Sequence, residues 1–423
     1  MEEVVIIGAG ASGLACGIEL GRHGISCLIL EGKEKAGKKI YASGNGKCNL
    51  ANRNISADKY HSMGGSGYEQ IRSVVPETAA ASVEQFFHEI GIPFTERNGY
   101  LYPHSEQAGA VVHAMEETVT GLGGHIKCNT YVTSVEWNKK RNCFQIHTNE
   151  ERYQCKRLVL AAGGAASPQH GSDGSGYKLA GQLGHSVTPC LPSLCGLKVQ
   201  ASDFQKLQGI RAKGEASLFI DNQRIAVEHG EIQFTQYGLS GIAVFNLSRY
   251  AGVALHKRKQ VRIDLDLCVE LSEQELWTLF KQAKQISGYR NIGSVLSGII
   301  PEKLARYLLK HQGISEEIEI RHLKPEDIKR LIQMVKRFSA DITDTNTLEQ
   351  AQVTAGGIPL SEIDLDTMES KLCPGCYLTG ELVDVDGCCG GYNLMWAWES
   401  GRRAGQSINA VSYTHLTLPT NSR

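Results

Sequence analysis

The segment Val4–Gly13, with the sequence VVIIGAGASG, is the part of the chain that decides the fold. A short apolar run meets G-x-G-x-x-G before residues of helical spacing, which predicts a buried parallel strand, a tight turn and a helix. Gly8 permits the turn, Gly10 lets the backbone approach a pyrophosphate, and Gly13 lets the helix lie close to its strand. The N–H groups at the helix start then face the phosphates.

A carboxylate follows the next predicted strand. Residues 26–30 (SCLIL) are a second apolar run, and Glu31 comes directly after it. Its carboxylate can accept hydrogen bonds from both hydroxyls of an unphosphorylated ribose. The alternative is a glycine-rich turn without a ligand, but the strand, the helix and the acid together favour a dinucleotide. Because this fold binds the ADP half of NAD and of FAD in the same way, other segments must distinguish them.

Three segments favour FAD. Residues 37–49 (GKKIYASGNGKCN) are rich in small, donor-bearing side chains that could surround phosphates and a flavin edge; the alternative is a flexible surface loop. Residues 158–164 (LVLAAGG) predict a strand that ends in small residues, as is needed where a chain passes under a cofactor. The alternative is an ordinary core strand. Gly390 and Gly391 precede a helix predicted over 392–407, whose N-terminus would stabilise a reduced flavin. That helix has a stripe of small residues that would let it approach the sheet: Ala397, Gly401 and Gly405.

Further motifs carry a family resemblance. In chain order they are residues 43–49 (SGNGKCN), 102–105 (YPHS), 171–177 (GSDGSGY), 234–241 (FTQYGLSG), 353–357 (VTAGG), 368–371 (MESK) and 391–394 (GYNL). From about Val4 to about Ala410 the chain resembles the BaiN-like NAD(P)/FAD-dependent oxidoreductases, which include YhiN-type proteins and are also labelled aminoacetone oxidase-like. Lys47 stands where that family usually has Arg.

The resemblance implies an α/β fold: a discontinuous, Rossmann-like FAD-binding domain of the glutathione-reductase type with inserted β-barrel-like and helical subdomains. We expect the FAD-binding domain over 1–191 and 342–410, a β-rich domain over 192–270 and 315–341, and a helical subdomain over 271–314. Strand-like patterns at 216–221, 224–227 and 261–265 and a capping box at Ser272–Glu275 agree with these insertions. The basic runs 256–259 and 324–337 are interpreted as solvated faces.

The expected FAD contacts come from the segments above, from Val132 and from two short segments near the end of the chain, 379–381 (TGE) and 386–387 (DG). They are Gly8, Gly10, Ala11, Ser12, Gly13, Glu31, Lys39, Ser43, Gly44, Asn45, Lys47, Cys48, Asn49, Val132, Ala162, Gly163, Gly380, Glu381, Asp386, Gly391, Tyr392, Asn393 and Leu394. The chain has no second strand-linked G-x-G-x-x-G with its acid, so NAD(P)H is expected to dock transiently as electron donor.

The expected reaction is hydride transfer through flavin N5 to an organic substrate lying between the FAD domain and the inserted domains. The resemblance implies a C=C bond conjugated to a ketone, as in bile-acid or steroid-like intermediates. Tyr237 is the first candidate for the proton donor, with a buried structural tyrosine as its alternative, and Tyr392 is the second. A second hypothesis is an oxidase of a small amine or amino ketone that produces peroxide. A third is a redox-sensing flavin module acting through Cys388 and Cys389.

Composition restricts other classes of function. The net charge of −1 disfavours a nucleic-acid partner and a role in RNA modification. The 13 cysteines are read as core residues of a reducing compartment, although Cys373 and Cys376 have redox-motif spacing. We expect no metal, no membrane span and a cytoplasmic location. Residues 411–423 are expected to be a non-native, disordered tail.

Overall fold

The computed structural model describes residues 1–65, 68–200 and 204–416, and the chain divides into two compact units. The first unit contains Met1–Leu191 and the chain from Leu348 onward, and the second contains Pro192–Thr347. The described residues form the strands β1 (Glu2–Ile7), β2 (Cys27–Leu30), β3 (Ala51–Asn52), β4 (Tyr60–His61), β5 (Phe94–Arg97), β6 (Tyr100–Pro103), β7 (His125–Lys127), β8 (Val132–Asn138), β9 (Cys143–Thr148), β10 (Arg152–Leu160), β11 (Leu191–Ser193), β12 (Leu197–Val199), β13 (Arg211–Ile220), β14 (Gln223–Phe234), β15 (Gly238–Ser240), β16 (Val261–Asp266), β17 (Phe338–Thr345), β18 (Val353–Ala355), β19 (Ile363–Asp364), β20 (Glu369–Ser370), β21 (Cys376–Leu378) and β22 (Asp386–Gly387). The helices are α1 (Ala11–Arg22), α2 (Lys38–Ala42), α3 (Tyr68–Val74), α4 (Ala79–Glu89), α5 (Ala108–Gly121), α6 (Ser175–Gln182), α7 (Ile242–His256), α8 (Glu273–Ile286), α9 (Ile292–Leu296), α10 (Glu302–His311), α11 (Pro325–Lys336) and α12 (Tyr392–Leu416).

The main sheet of the first unit has the order β19-β20-β21-β10-β1-β2-β7, and β8 and β9 extend from β10 as an antiparallel pair. Strands β21, β10, β1, β2 and β7 run parallel to one another, whereas β20 pairs antiparallel with β21. Residues 4–7 are all buried, because such a strand is covered on both faces. Ile7 pairs with Leu30 and Leu160, and Leu160 pairs with Leu378. The segments that follow these strands therefore leave the sheet at one edge, where α/β folds bind their ligands.

Helices α1 and α12 lie in close contact. A Cβ atom at Gly401 would lie 2.2 Å from the carbonyl oxygen of Ser12, and one at Gly405 would lie 2.8 Å from that of Cys16. The small-residue stripe was thus correctly read as a close-packing surface, but the partner that it meets is α1 rather than the sheet. Helix α12 also continues to Leu416, beyond the predicted end at 407. Within the expected tail, residues 417–423 lie outside the described residues.

The second unit contains a closed barrel in the strand order β12-β15-β14-β13-β16-β17, which confirms the predicted β-barrel-like insertion. Helix α7 was not predicted from the sequence. Helix α8 begins with the predicted capping box, since the Ser272 hydroxyl accepts from Glu275 N at 3.2 Å and Glu275 accepts from Ser272 N at 2.8 Å. The helical segment was predicted to end at 314, but helices continue to Lys336.

The charged run 324–337 explains the underestimate. Within it, α11 buries an apolar face that includes Ile328, Leu331 and Val335, while Lys329 and Arg330 are exposed. The sequence interpretation took the charges as the main signal and overlooked the apolar residues between them.

Candidate FAD-binding site

The first strand, turn and helix form a cradle of backbone atoms. Gly8 has a φ of +103°, and a Cβ atom there would lie 2.5 Å from the carbonyl oxygen of Ala161. A Cβ atom at Gly13 would lie 2.0 Å from the carbonyl oxygen of Gly8, so neither position accepts a side chain. At Gly10, by contrast, a Cβ atom would meet nothing within 4 Å. The surface of the turn at Gly10 is therefore open, and the N–H groups of Ala11, Ser12 and Gly13 lack intrahelical partners, as at any helix start.

Glu31 is fixed against this turn. One carboxylate oxygen accepts from Ala9 N and the other from Lys33 N, both at 2.8 Å. Burial raises the pKa of Glu31, while these two backbone hydrogen bonds oppose the rise. Thr130 N donates to the carbonyl oxygen of Glu31, and Val132 starts β8 as a buried residue. The carboxylate is thereby held where the fold places the ribose of a dinucleotide.

Lys39 and Glu381 lie together although 342 positions separate them. Lys39 Nζ is 2.5 Å from Glu381 Oε2 and donates to the carbonyl oxygen of Ala166 at 3.0 Å. The other oxygen of Glu381 accepts from Thr354 N at 2.8 Å, and Thr354 Oγ1 accepts from Ala165 N at 2.8 Å. This network joins α2, the segment after β10, strand β18 and the segment after β21. The sequence interpretation missed Thr354, although the VTAGG motif contained it.

Two polar side chains of the loop at 43–49 bond to groups outside the loop. Ser43 Oγ donates to the carbonyl oxygen of Ile40 at 2.7 Å. Lys47 Nζ lies 2.7 Å from a carboxylate oxygen of Glu106, and its hydrogen bond lowers the pKa of that acid. Cys48 is fully buried, and burial raises its pKa to about 12. Left-handed backbone explains the small polar residues of this loop, with φ of +55° at Gly44 and Asn45 and +58° at Cys48.

The start of α12 is built from glycines that pack against backbone. Gly391 has a φ of +92°, and a Cβ atom there would lie 2.8 Å from the carbonyl carbon of Ala51 and 3.1 Å from Asn49 Oδ1. Asn393 accepts from Gly387 N at 2.9 Å and donates to the Gly387 carbonyl at 2.8 Å. Its side chain therefore fixes the preceding turn. The next residue, Leu394, packs partly buried against the core.

Other expected FAD residues contact neighbouring loops of the first unit. A Cβ atom at Gly380 would lie 2.6 Å from Ser12 Oγ, so the segment after β21 touches the first turn of α1. Asp386 pairs with His61 in the short sheet of β22 and β4. Ala162 and Gly163 follow β10, and a Cβ atom at Gly163 would lie 2.7 Å from Ser172 Oγ. Most of the expected FAD residues thus belong to connected segments of the first unit.

Sequence comparison assigns this chain to a known family. The family model described as "HI0933-like protein Rossmann domain" matches residues 2–407. The chain belongs to the HI0933-like family. It is 38% identical, over 96% of its length and 99% of the relative, to the 3-dehydro-bile acid delta(4,6)-reductase of Clostridium scindens, so the BaiN-like resemblance is confirmed. It is 30% identical, over 96% of its length and 98% of the relative, to the ribosomal RNA dihydrouridine synthase of Haemophilus influenzae.

Among solved structures, a 3-ketosteroid-delta4-(5alpha)-dehydrogenase from Rhodococcus jostii matches with 15% identity, 96% coverage of both chains and a TM-score of 0.48. The HI0933-like chain is a flavin oxidoreductase of the BaiN-like type, and its Rossmann domain supports FAD as the cofactor. The open turn at Gly10 and the fixed carboxylate of Glu31 fit the ADP half of that cofactor.

Two tyrosines were predicted as proton donors, and the structure distinguishes them. Tyr392 is 7% exposed, and its hydroxyl donates to the carbonyl oxygen of Asn54 at 3.2 Å. Burial raises the pKa of Tyr392 to about 12. Tyr237 lies in the second unit between β14 and β15 and is 37% exposed. The alternative that Tyr237 is a buried structural tyrosine is therefore wrong.

The cysteines of the redox-like motif are poorly placed for electron transfer. Cys373 and Cys376 are buried, and burial raises the pKa of both thiols. Cys376 is the first residue of β21, at the strand end opposite the one that leads to Glu381. Cys388 and Cys389 are partly exposed. Among the described residues there is no group of three or more potential metal ligands, and no described helix is long and apolar enough to cross a membrane.

Proposed function

We propose that this HI0933-like chain is an NAD(P)H-linked, FAD-dependent reductase that saturates a C=C bond conjugated to a carbonyl group, as in a steroid-like 3-ketone. The observation that carries the proposal is the 38% identity to a relative named as a bile-acid reductase, over 96% of this chain and 99% of that relative. The chain has one dinucleotide turn, which FAD would fill, so the nicotinamide donor would dock transiently. NAD(P)H, a proton and the enone would give NAD(P)⁺ and the saturated ketone.

Bound FAD supplies a hydride acceptor and donor at N5. The chain's own residues would hold it: the Gly8–Gly13 turn at the pyrophosphate, Glu31 at the ribose, and the start of α12 at the negatively charged edge of the reduced ring. At that start Met395 N donates to the carbonyl oxygen of Gly391 at 2.9 Å, so the N–H groups before Met395 lack intrahelical partners.

Tyr237 would supply the proton to the carbon next to the carbonyl. Its side chain is exposed, whereas the Tyr392 hydroxyl is already bonded to backbone. A general acid contributes at least about tenfold to such a step. Tyr237→Phe should therefore slow substrate-dependent flavin reoxidation by at least about tenfold and leave flavin reduction by NAD(P)H unchanged.

Reduction of uridine in RNA is the second candidate function. The observation that favours it is the 30% identity to a relative named as a ribosomal RNA dihydrouridine synthase. The C5=C6 bond of uridine is also conjugated to a carbonyl group, so the same hydride and proton transfers would apply. A net charge of −1 describes the whole chain and does not exclude a local basic surface.

The test begins with purified protein and its visible spectrum. The bound flavin is reduced anaerobically with NADH or NADPH, which bleaches its visible absorption. A 3-oxo-Δ4 steroid is then added to one sample and a uridine-containing ribosomal RNA fragment to another. Reoxidation of the flavin by the steroid supports the proposal. Reoxidation by the RNA and not by the steroid would instead support uridine reduction. Reoxidation only by oxygen, with peroxide, would mean an oxidase. Protein that cannot take up FAD would refute both reductase functions. Tyr289→Phe is the matched control, since Tyr289 is an exposed tyrosine of the same unit.

A further inference from the structure

The backbone of Tyr237 is held at the tip of a tight hairpin. Thr235 N donates to the carbonyl oxygen of Gly238 at 2.8 Å, and Gly238 N donates to Thr235 Oγ1 at 3.2 Å. The Tyr237 carbonyl accepts from Val199 N at 3.1 Å. A Cβ atom at Gly238 would lie 2.3 Å from the carbonyl oxygen of Leu197, so the turn closes directly onto β12.

The ring of Tyr237 lies over Gly196, the residue before β12. A Cβ atom at Gly196 would lie 2.6 Å from Tyr237 Oη and 2.7 Å from its Cε2. The backbone of Gly196 is itself fixed, because its carbonyl oxygen accepts from Asn346 N at 2.9 Å. Within the described residues, the Tyr237 hydroxyl has no hydrogen-bond partner. Contact with the bare backbone of Gly196 is therefore what defines the position of the hydroxyl.

Glycine is present at 196 for space and not for backbone conformation. Its φ lies outside the left-handed region, in contrast to Gly238 and Gly241, whose φ values are +150° and +102°. Alanine at 196 would not need a left-handed backbone, so the main effect of its methyl group would be on the atoms around it. The nearest of those surroundings is the hydroxyl end of an exposed ring.

We infer that Gly196 is a positioning residue for proton donation: its missing side chain lets the Tyr237 ring lie along β12 and sets the place of the hydroxyl. This inference rests on the proposed function, with Tyr237 as the acid. A methyl group at 196 would displace the hydroxyl by roughly 1 Å, and misplacement on that scale can cost about 100-fold in rate. The ring is exposed and can move into solvent, so the fold should tolerate the change.

The experiment compares the wild type with Gly196→Ala, Tyr237→Phe and the double variant. Gly196→Ala should slow enone-dependent reoxidation by about 10- to 100-fold with unchanged flavin reduction by NAD(P)H. The double variant should be no slower than Tyr237→Phe, because both changes remove one function. Gly252→Ala is the control, since a Cβ atom there would meet its nearest neighbours at 3.5 Å.

A second readout does not depend on turnover. In protein labelled with ¹³C-tyrosine, the ring signal of Tyr237 is assigned by its loss in Tyr237→Phe. It should shift in Gly196→Ala and stay in place in Gly252→Ala. An unmoved signal, or a moved signal with a wild-type reoxidation rate, would overturn the inference. The inference would also be overturned if the rate losses of the two single variants were equal and multiplied in the double variant. A wild type that reduces no conjugated substrate would instead refute the proposed function, while the ring signal would still report the contact.

Discussion

Replacing Gly401 by alanine should separate α12 from α1 and weaken FAD binding. The added Cβ atom would lie 2.2 Å from the carbonyl oxygen of Ser12 and 2.9 Å from its carbonyl carbon and Cα. These are backbone atoms in the first turn of α1, so no side chain can rotate away. One helix must move, and the movement reaches the turn that would hold the pyrophosphate.

The magnitude follows from two opposed effects. Alanine in place of glycine favours a helix by about 1 kcal/mol. Overpacking costs about 1–3 kcal/mol, and the upper end applies because the obstacle is backbone. The net loss in the free energy of unfolding should be about 2 kcal/mol. FAD affinity should fall by about tenfold, which corresponds to about 1.4 kcal/mol.

Two other glycines make the experiment a graded series. A Cβ atom at Gly405 would lie 2.8 Å from the nearest carbonyl oxygen, whereas one at Gly121, the last residue of α5, would meet nothing within 4 Å. Gly405→Ala should therefore lose less stability than Gly401→Ala, and Gly121→Ala should lose none. Urea unfolding followed by tryptophan fluorescence suits the measurement, since Trp396 and Trp398 lie buried on α12. If Gly401→Ala matched Gly121→Ala in stability and in FAD affinity, the close helix contact would be refuted.

Three further outcomes are expected. Glu31→Gln should weaken FAD binding by about tenfold or more, because an amide is a poorer acceptor than a carboxylate for ribose hydroxyls. Burial raises the pKa of Glu31, so the FAD affinity of the wild type, measured by calorimetric titration, should fall on acidification at a higher pH than for an ordinary glutamate. Tyr392→Phe should lower the free energy of unfolding by about 1 kcal/mol through the lost hydrogen bond to backbone, whereas a fall in enone reoxidation as large as that of Tyr237→Phe would make Tyr392 the proton donor. Burial opposes ionisation of Glu362, but hydrogen bonds from the Ser186 hydroxyl and from His185 lower its pKa. The carboxylate therefore stabilises the fold at neutral pH and loses this effect as the pH falls through the folded-state pKa, so the deficit of Glu362→Gln in urea unfolding should shrink in acid; a deficit independent of pH would contradict this.

Sequence could predict the parts of the site that are local in the chain. The strand, turn and helix at 2–22 are formed by residues that are close in the sequence, and Glu31 follows the next strand. Hydrophobic pattern and residue spacing are therefore enough to predict them. The network of Lys39, Glu381 and Thr354 could not be predicted in this way, because its members come from three distant segments. The segments 37–49, 353–357 and 379–381 contain these three residues, but the sequence of a segment does not state which side chains meet. Helix α7 was missed because its apolar residues are interrupted by few polar ones, which left no clear helical periodicity.

The glycines show most clearly which features can be predicted from the sequence and which cannot. At Gly8 the positive φ and the nearby Ala161 carbonyl both require glycine, and the strand-turn-helix pattern predicts this. At Gly196 and Gly401 the backbone conformation would accept alanine, and only an atom from another segment excludes it. Substitution by alanine therefore tests different things: at Gly8 it strains the backbone itself, while at the other two positions it moves a neighbour. Because that neighbour is an exposed tyrosine in one case and helix backbone in the other, the same mutation should affect rate at 196 and stability at 401.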